Sequence, residues 1–256
     1  MLTQQPSPHV LPAFVRYEHP LNERVRTYLR FEALFRQLQH SYQLKERQHD
    51  HLFFSALFDI LELLDQIQLK AELIKDLDKQ RQKLQQWLNV DNVDQTTLLA
   101  LLDDLEHRHH HLLSAPRLGQ TLREDRFLSG LRQRFSIPGG TCCFDLPTLQ
   151  HWRHLSAERR QQDITRWMAP LNVISHALSL WLRLIRDSAQ VAPQVARQGF
   201  YQSEAAQAEL LRLQICPQYG VYPMISGLRS RFSIRFLPFD EGSVVAESIE
   251  FSLARC

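Results

Sequence analysis

The spacing of the apolar residues changes once, late in the chain, and this change constrains the fold more than any other feature. Up to about residue 189 the apolar residues recur at the three- and four-residue intervals of amphipathic helices. After about residue 208 they alternate with period two, as they do in half-buried strands. This order predicts an α+β fold with a mainly α-helical domain plus a smaller discontinuous antiparallel β-sheet domain.

The β domain is expected to draw on three separate parts of the chain. We predict three or four short strands at the C-terminus, after a polar connector that spans residues 191–209. A sheet this small is marginally stable alone, so two isolated alternating segments are expected to join it. The predicted domains are a loose N-terminal tail (1–13), a helical domain (20–138 and 147–190) and the discontinuous β domain (14–19, 141–146 and 199–256).

Composition excludes several classes of protein. The 256 residues are 44% hydrophobic and carry a net charge of only +2, so a charged partner must be met by a local patch. No apolar run reaches the length of a membrane span, and the N-terminus lacks the basic start and apolar core of a signal peptide. The four cysteines lack the C-x-x-C spacing of zinc sites, so we expect them to be reduced, in the cytoplasm.

The segment RSRFSIRF, residues 229–236, carries the strongest functional signal. Because side chains alternate along a strand, its apolar residues point one way, and Arg229, Arg231 and Arg235 point the other. A face that serves only solubility would mix charge signs and include lysine and glutamate. We therefore predict a basic concave binding patch, to which helices next to the other strands add Arg26, Arg30, Arg123 and Arg126.

Two groups of residues have simpler interpretations as well. The arginines of residues 117–134 are also typical of a solvated helix face with ion pairs three or four residues apart. His107 and His111 are spaced to share a helix face, as pairs of metal ligands do. No cysteine or carboxylate motif completes a metal site nearby, and histidines near a helix C-terminus are favoured by the helix dipole. We therefore predict no metal and no cofactor.

The choice of partner depends on what surrounds the arginines. Binding of single-stranded nucleic acid uses aromatic side chains interleaved with basic ones, whereas the aromatics of residues 229–236 alternate away from the arginines. The sequence contains no nucleophile with its base, phosphate-binding loop or zinc triad, so an enzyme is not predicted. The remaining class is an adaptor that binds an acidic peptide, and a nucleic-acid-binding protein that uses the same arginine patch is the alternative.

Five segments, distributed along most of the chain, resemble the ZapD family of cell-division proteins. The resemblance runs from about Val15 to the C-terminal cysteine. It is carried by YEHPLNERVRTYLRFE (17–32), SAPRLGQTLREDRFLSGLRQRFSIPGG (114–140), CCFDLPTLQHW (142–152), GFYQ (199–202) and LRSRFSIRFLPFD (228–240).

The resemblance implies a function that the residues alone do not. It implies a non-enzymatic cytoplasmic homodimer at the midcell division ring, which binds the C-terminal tail of FtsZ and cross-links and bundles FtsZ filaments. No nucleic acid and no membrane is implied as a partner. One position of the family pattern that can be histidine is Gln150 here, next to His151. The residues implied to contact the FtsZ tail are Arg26, Arg30, Arg126, Arg229, Arg231 and Arg235.

Overall fold

A computed structural model describes residues 14–43, 50–227 and 230–256. The predicted N-terminal tail and Arg229 lie outside these residues. The chain divides into two compact units, one formed by the residues up to Leu29 together with Leu184–Cys256, and the other by Arg30–Arg183. We call them the sheet unit and the helical unit. Helices and an antiparallel sheet are both present, which confirms the predicted α+β fold.

The starts of two helices are set by local chemistry. Asp94 accepts hydrogen bonds from the backbone N–H groups of Thr96 and Thr97, and Ser156 accepts one from Arg159, as expected of N-cap residues. The helices are α1 (Glu23–Gln43), α2 (Asp50–Gln66), α3 (Leu69–Gln85), α4 (Gln95–Ser114), α5 (Gln120–Glu124), α6 (Arg126–Phe135), α7 (Pro147–Arg153), α8 (Ala157–Met168) and α9 (Asn172–Asp187).

The core of the helical unit is built around Phe54 of α2, whose side chain is fully buried. Its ring centroid lies 5.4 Å from that of Trp152 and 5.7 Å from that of Trp167, both in edge-to-face arrangements. Phe127 and Phe135 of α6 lie 6.1 and 5.9 Å from it. This one aromatic cluster therefore joins α2, α6, α7 and α8.

The helical stretch Ala157–Asp187 is long and apolar enough to cross a membrane by length and composition. Half of its most apolar window is buried inside the protein, however. Because core helices of soluble proteins pass the same test, the stretch is weak evidence for a membrane span.

The strands form one antiparallel sheet in the order β1-β4-β7-β2-β3-β6-β5. The predicted strand near Val15 is present and pairs with residues Leu210–Ile215. The strands are β1 (Val15–Pro20), β2 (Ala192–Arg197), β3 (Phe200–Glu204), β4 (Leu210–Ile215), β5 (Val221–Gly227), β6 (Arg231–Pro238) and β7 (Ser248–Arg255).

The sheet bends sharply between β2 and β3. These strands pair only at Arg197 and Phe200, around a turn in which Gln198 and Gly199 both have positive φ angles of 50° and 71°. A side chain at Gly199 would also approach the carbonyl oxygen of Phe236 to 3.0 Å. The ring of Phe251 on β7 lies 5.2 Å from that of Phe236 on β6, although two strands separate β7 from β6. The apolar faces of the two halves therefore pack against each other.

Two predictions about strands are wrong. The polar connector predicted at residues 191–209 contains β2 and β3. The pattern of β2 is polar because Ala196 is its buried residue. Its Gln194 accepts a hydrogen bond from the Tyr201 hydroxyl (2.7 Å). The strand predicted at residues 141–146 is instead a series of turns. Backbone groups of this segment bond locally, as in Cys142 N–H to Gly139 O (3.2 Å), and Phe144 is 80% exposed.

Candidate partner-binding site

Ion pairs separate the structural arginines from those that remain available to a partner. In the helical unit the Arg123 guanidinium donates to the Leu118 carbonyl (2.7 Å) and lies 2.6 Å from the Asp65 carboxylate, which Arg132 also contacts at 3.4 Å. In the sheet unit Arg186 forms a bidentate contact with Glu18 (2.8 and 2.7 Å). These contacts support the fold, and the Arg123 guanidinium is already engaged by groups of the helical unit.

Arg126 is placed differently from Arg123. It is the first residue of α6, it is exposed, and its guanidinium forms no ion pair or hydrogen bond with any residue that the structure describes. The preceding carboxylate is already occupied, because Asp125 accepts the N–H groups of Phe127 and Leu128 (both 3.0 Å) and the indole N–H of Trp167 (3.0 Å). Asp125 thus fixes the start of the helix and leaves Arg126 free to meet an external anion.

Arg231 and Arg235 project from the outer face of β6, as the alternation of the sequence predicts. Both are exposed, whereas Phe232, Ile234 and Phe236 are buried. Within the described residues, neither guanidinium has an ion-pair partner. The outer face of β6 therefore presents two arginines without an ion pair among the described residues, with Glu204 of β3 directly opposite Arg231.

The strands beside β6 add residues to this face that the sequence analysis missed. Arg235 is in register with Met224 of β5 and with Phe200 of β3, which is itself in register with Arg197. Met224 is 56% exposed and Phe200 45% exposed. The sequence signal for these residues is the glycine of RQGF (197–200), which indicates a turn between two strands. The sequence analysis instead predicts a polar connector over this segment. The outer face is therefore mixed, with apolar side chains on both sides of Arg235.

Besides α6 and β6, the start of α1 also carries candidate arginines. Arg26 is partly exposed and contacts Glu23 at 3.1 Å, and Arg30 follows one helical turn later and is exposed. No described contact joins Arg26 to Arg231 or Arg235, and β6 is sixth in a strand order that begins with β1. The structure thus distributes the described candidates over α1, α6 and β6, and Arg229 lies outside the described residues.

The fold lowers the pKa of His19 on β1. Burial first, and then the positive charge of Arg26, hold the pKa of His19 below its usual value of 6.5. Because the unfolded chain binds this proton more readily, His19 contributes stability that is present above about pH 6.5 and is lost as the pH falls through the lowered pKa.

A pH titration of stability tests this arrangement. Between about pH 7.5 and about pH 5.5, the urea midpoint of the wild type should fall more than that of His19→Gln. His110→Gln, at an exposed position on α4, is the matched control and should titrate like the wild type. Parallel midpoint curves for the wild type and His19→Gln would contradict the prediction.

Metal-ligating residues do not converge in the part of the chain that the structure describes. His107 and His111 do share a face of α4, with ring centroids 4.3 Å apart. Across residues 14–43, 50–227 and 230–256, however, no group of three or more histidine, cysteine, aspartate or glutamate side chains is placed to hold a metal ion. What the described residues offer instead is three arginines without an ion pair, Arg126, Arg231 and Arg235, suited to binding carboxylates or phosphates.

Comparison with known proteins identifies the family. A sequence model of ZapD, described as a cell division protein, matches residues 29–235. The chain belongs to the ZapD family. The match includes Arg30, Arg126, Arg231 and Arg235 and begins after Arg26. The resemblance seen in the sequence is therefore confirmed.

Relatives named "Cell division protein ZapD" match this ZapD-family chain over nearly its whole length. The protein from Photobacterium profundum is 61% identical over 241 residues, which are 94% of this chain and 98% of the relative. That from Aliivibrio fischeri is 52% identical, with 94% and 97% covered, and that from Vibrio atlanticus is 50% identical, with 94% and 98% covered.

Proposed function

We propose that this protein is a non-enzymatic division factor that binds the C-terminal tail of FtsZ and, as a homodimer, cross-links and bundles FtsZ filaments to stabilise the division ring. It acts in the cytoplasm at midcell and needs no cofactor, membrane or nucleic acid. Membership of the ZapD family supports the role in division. The proposed tail contacts are Arg26, Arg30, Arg126, Arg229, Arg231 and Arg235.

The observation that carries the proposal is the free state of Arg126, Arg231 and Arg235 among the described residues. A guanidinium without a carboxylate partner is available for bidentate hydrogen bonds to a carboxylate of a peptide. Each such bond contributes roughly 1.5–3 kcal/mol when the pair is shielded from water. Several of them account for the binding of an acidic segment without a deep pocket.

Because a filament carries many tails, weak binding of each single tail is sufficient for cross-linking. A two-fold homodimer presents two equivalent tail sites, each of which takes a tail from a different filament. Once one tail is bound, the many tails along a filament raise the effective concentration for further contacts. Cross-linking therefore requires the dimer, while the strength of bundling depends on the number of tails engaged.

The test is a titration of a labelled FtsZ C-terminal tail peptide with the protein, followed by fluorescence anisotropy at low and moderate salt. We expect saturable binding that weakens as salt rises, because the Debye length shortens from about 30 Å at 0.01 M to about 8 Å at 0.15 M. Sedimentation of FtsZ filaments with the protein should show bundling with the same salt dependence. An affinity for the tail peptide that does not change with salt would contradict binding through charged groups.

A labelled single-stranded oligonucleotide, titrated in parallel, addresses the alternative. The observation that favours nucleic acid is the exposed Phe200 of β3, which lies directly opposite Arg235 of β6, since stacking aromatics next to basic residues bind bases. We expect the tail peptide to bind in excess unlabelled oligonucleotide. Displacement of the peptide by the oligonucleotide at equal concentration would favour the alternative function.

A further inference from the structure

One row of exposed side chains crosses five neighbouring strands of the sheet unit. Residues directly opposite each other on adjacent strands have their side chains on the same face, with Cβ atoms about 5 Å apart. The register places Arg197 of β2 opposite Phe200 of β3, and Phe200 opposite Arg235 of β6. Every member of the row is exposed. In spatial order, the row consists of Ser248, Arg197, Phe200, Arg235 and Met224.

Arg197 is as available to a partner as Arg235. Its guanidinium forms no ion pair or hydrogen bond with any residue that the structure describes. The row contains no acidic residue, and the carboxylates of Glu204 and Glu250 belong to other cross-strand pairs. With Phe200 between them, the two arginines lie two strand pairings apart, so that about 10 Å separates their Cβ atoms along the row. The row therefore offers two guanidinium groups side by side to one external ligand.

The turn between β2 and β3 fixes the backbone of Arg197 relative to β6. The carbonyl oxygen of Gly199 accepts the backbone N–H of Phe236 at 2.8 Å, and Gln198 donates its own N–H to the carbonyl oxygen of Glu247 at 2.8 Å. The positive φ angles of Gln198 and Gly199 are those that a two-residue hairpin turn requires. Because hydrogen bonds hold the backbone on both sides, the row does not have to be ordered when a ligand binds across it.

We infer that Arg197 is a further contact of the acidic tail, and that Arg197 and Arg235 bind two carboxylates of the same segment. The inference rests on the proposed function and adds to it a residue outside the six proposed contacts. Charge complementarity supports a carboxylate ligand, because a guanidinium offers paired N–H donors that match the two carboxylate oxygens. An extended peptide rises about 3.3 Å per residue, so about three residues span the two arginines. A segment with acidic residues about three positions apart therefore fits the row.

Charge reversal at Arg197 tests the inference. Arg197→Glu should raise the Kd of the labelled FtsZ tail peptide by about tenfold, because it removes one ion pair and adds repulsion of the acidic segment. Arg197→Lys keeps the charge but loses the paired donors, so its Kd should lie between those of the wild type and Arg197→Glu.

Arg16→Glu is the matched control. Arg16 is also exposed on a strand of the sheet unit and has no ion pair among the described residues, but it lies on β1, outside the row. Because Arg16→Glu and Arg197→Glu change the net charge equally, an effect of overall charge would appear in both. We expect Arg16→Glu to bind the tail peptide like the wild type.

The outcomes separate this inference from the proposed function. If Arg197→Glu binds the peptide as tightly as Arg16→Glu does, or if Arg197→Lys binds it as weakly as Arg197→Glu does, Arg197 makes no ion pair with the tail and the proposed function stands. Absence of tail binding by the wild type would overturn both. The same variants titrated with a single-stranded oligonucleotide address nucleic acid, whose phosphates suit the same arginines. Weaker binding of the oligonucleotide by Arg197→Glu, with unchanged binding of the peptide, would assign the row to nucleic acid and overturn the inference.

Discussion

Arg126→Glu is expected to reduce the affinity of the protein for the FtsZ tail peptide by about a hundredfold, which removes binding from an anisotropy titration. When the bound peptide shields the pair from water, the substitution removes charge-assisted hydrogen bonds of roughly 1.5–3 kcal/mol, and it adds repulsion of the acidic peptide. Arg126 is the first residue of α6, where a glutamate interacts favourably with the helix dipole. The helix should therefore remain folded, so the loss would reflect the contact itself.

Arg134→Glu is the matched control for this prediction. Arg134 is also exposed on α6 and also has no ion-pair partner in the described part of the chain, but it lies in the last turn of the helix. The two variants change the net charge equally, so Arg134→Glu should keep nearly wild-type affinity. Sedimentation velocity should show the same oligomeric state for both. If Arg126→Glu binds the peptide as tightly as Arg134→Glu does, Arg126 is not part of the site.

Phe54→Ala is expected to lower the free energy of unfolding of the helical unit by about 3–5 kcal/mol, the usual cost of emptying a fully buried phenylalanine position. Phe54 is 0% exposed and its ring contacts both Trp152 and Trp167. Its removal leaves a cavity between α2, α7 and α8 that these large rings cannot fill without leaving their hydrogen bonds to Asp163 and Asp125. Urea denaturation followed by far-UV circular dichroism measures the change.

Phe144→Ala serves as the comparison for the core variant. Phe144 is the same residue type in the same unit, but 80% of it is exposed. Its loss should change the free energy of unfolding by no more than about 0.5 kcal/mol. Similar costs at the two positions would mean that Phe54 does not hold the aromatic cluster together.

The predictions from sequence succeeded where a local rule decides the outcome. The direction of side chains along β6 follows from alternation, and burial of Phe232, Ile234 and Phe236 confirms it. The starts of α4 and α8 are local in the same sense, because the side chains of Asp94 and Ser156 cap the helices that follow them. Such features depend on neighbours a few residues away, so the sequence contains all the information needed.

The predictions failed where the structure of a segment depends on pairing with a distant strand. β2 has little apolar pattern of its own, and it is a strand because β7 pairs with it over Ala192–Arg197. The segment at residues 141–146 alternates but finds no partner strand among the described residues, and its backbone hydrogen bonds close within turns. Pairing across the sheet, rather than local preference, decided both cases.

The sequence by itself determined the family, the α+β class and the identity of most candidate arginines. Only the tertiary structure decided which arginines are free, because the carboxylate that neutralises an arginine can come from any part of the chain. Glu18 binds Arg186 from 168 positions away, and Asp65 of α2 holds Arg123. Arg126 lies close to Arg123 in sequence, but it is exposed and has no ion pair among the described residues. Charge is a property of the residue, but its availability to a partner is a property of the fold.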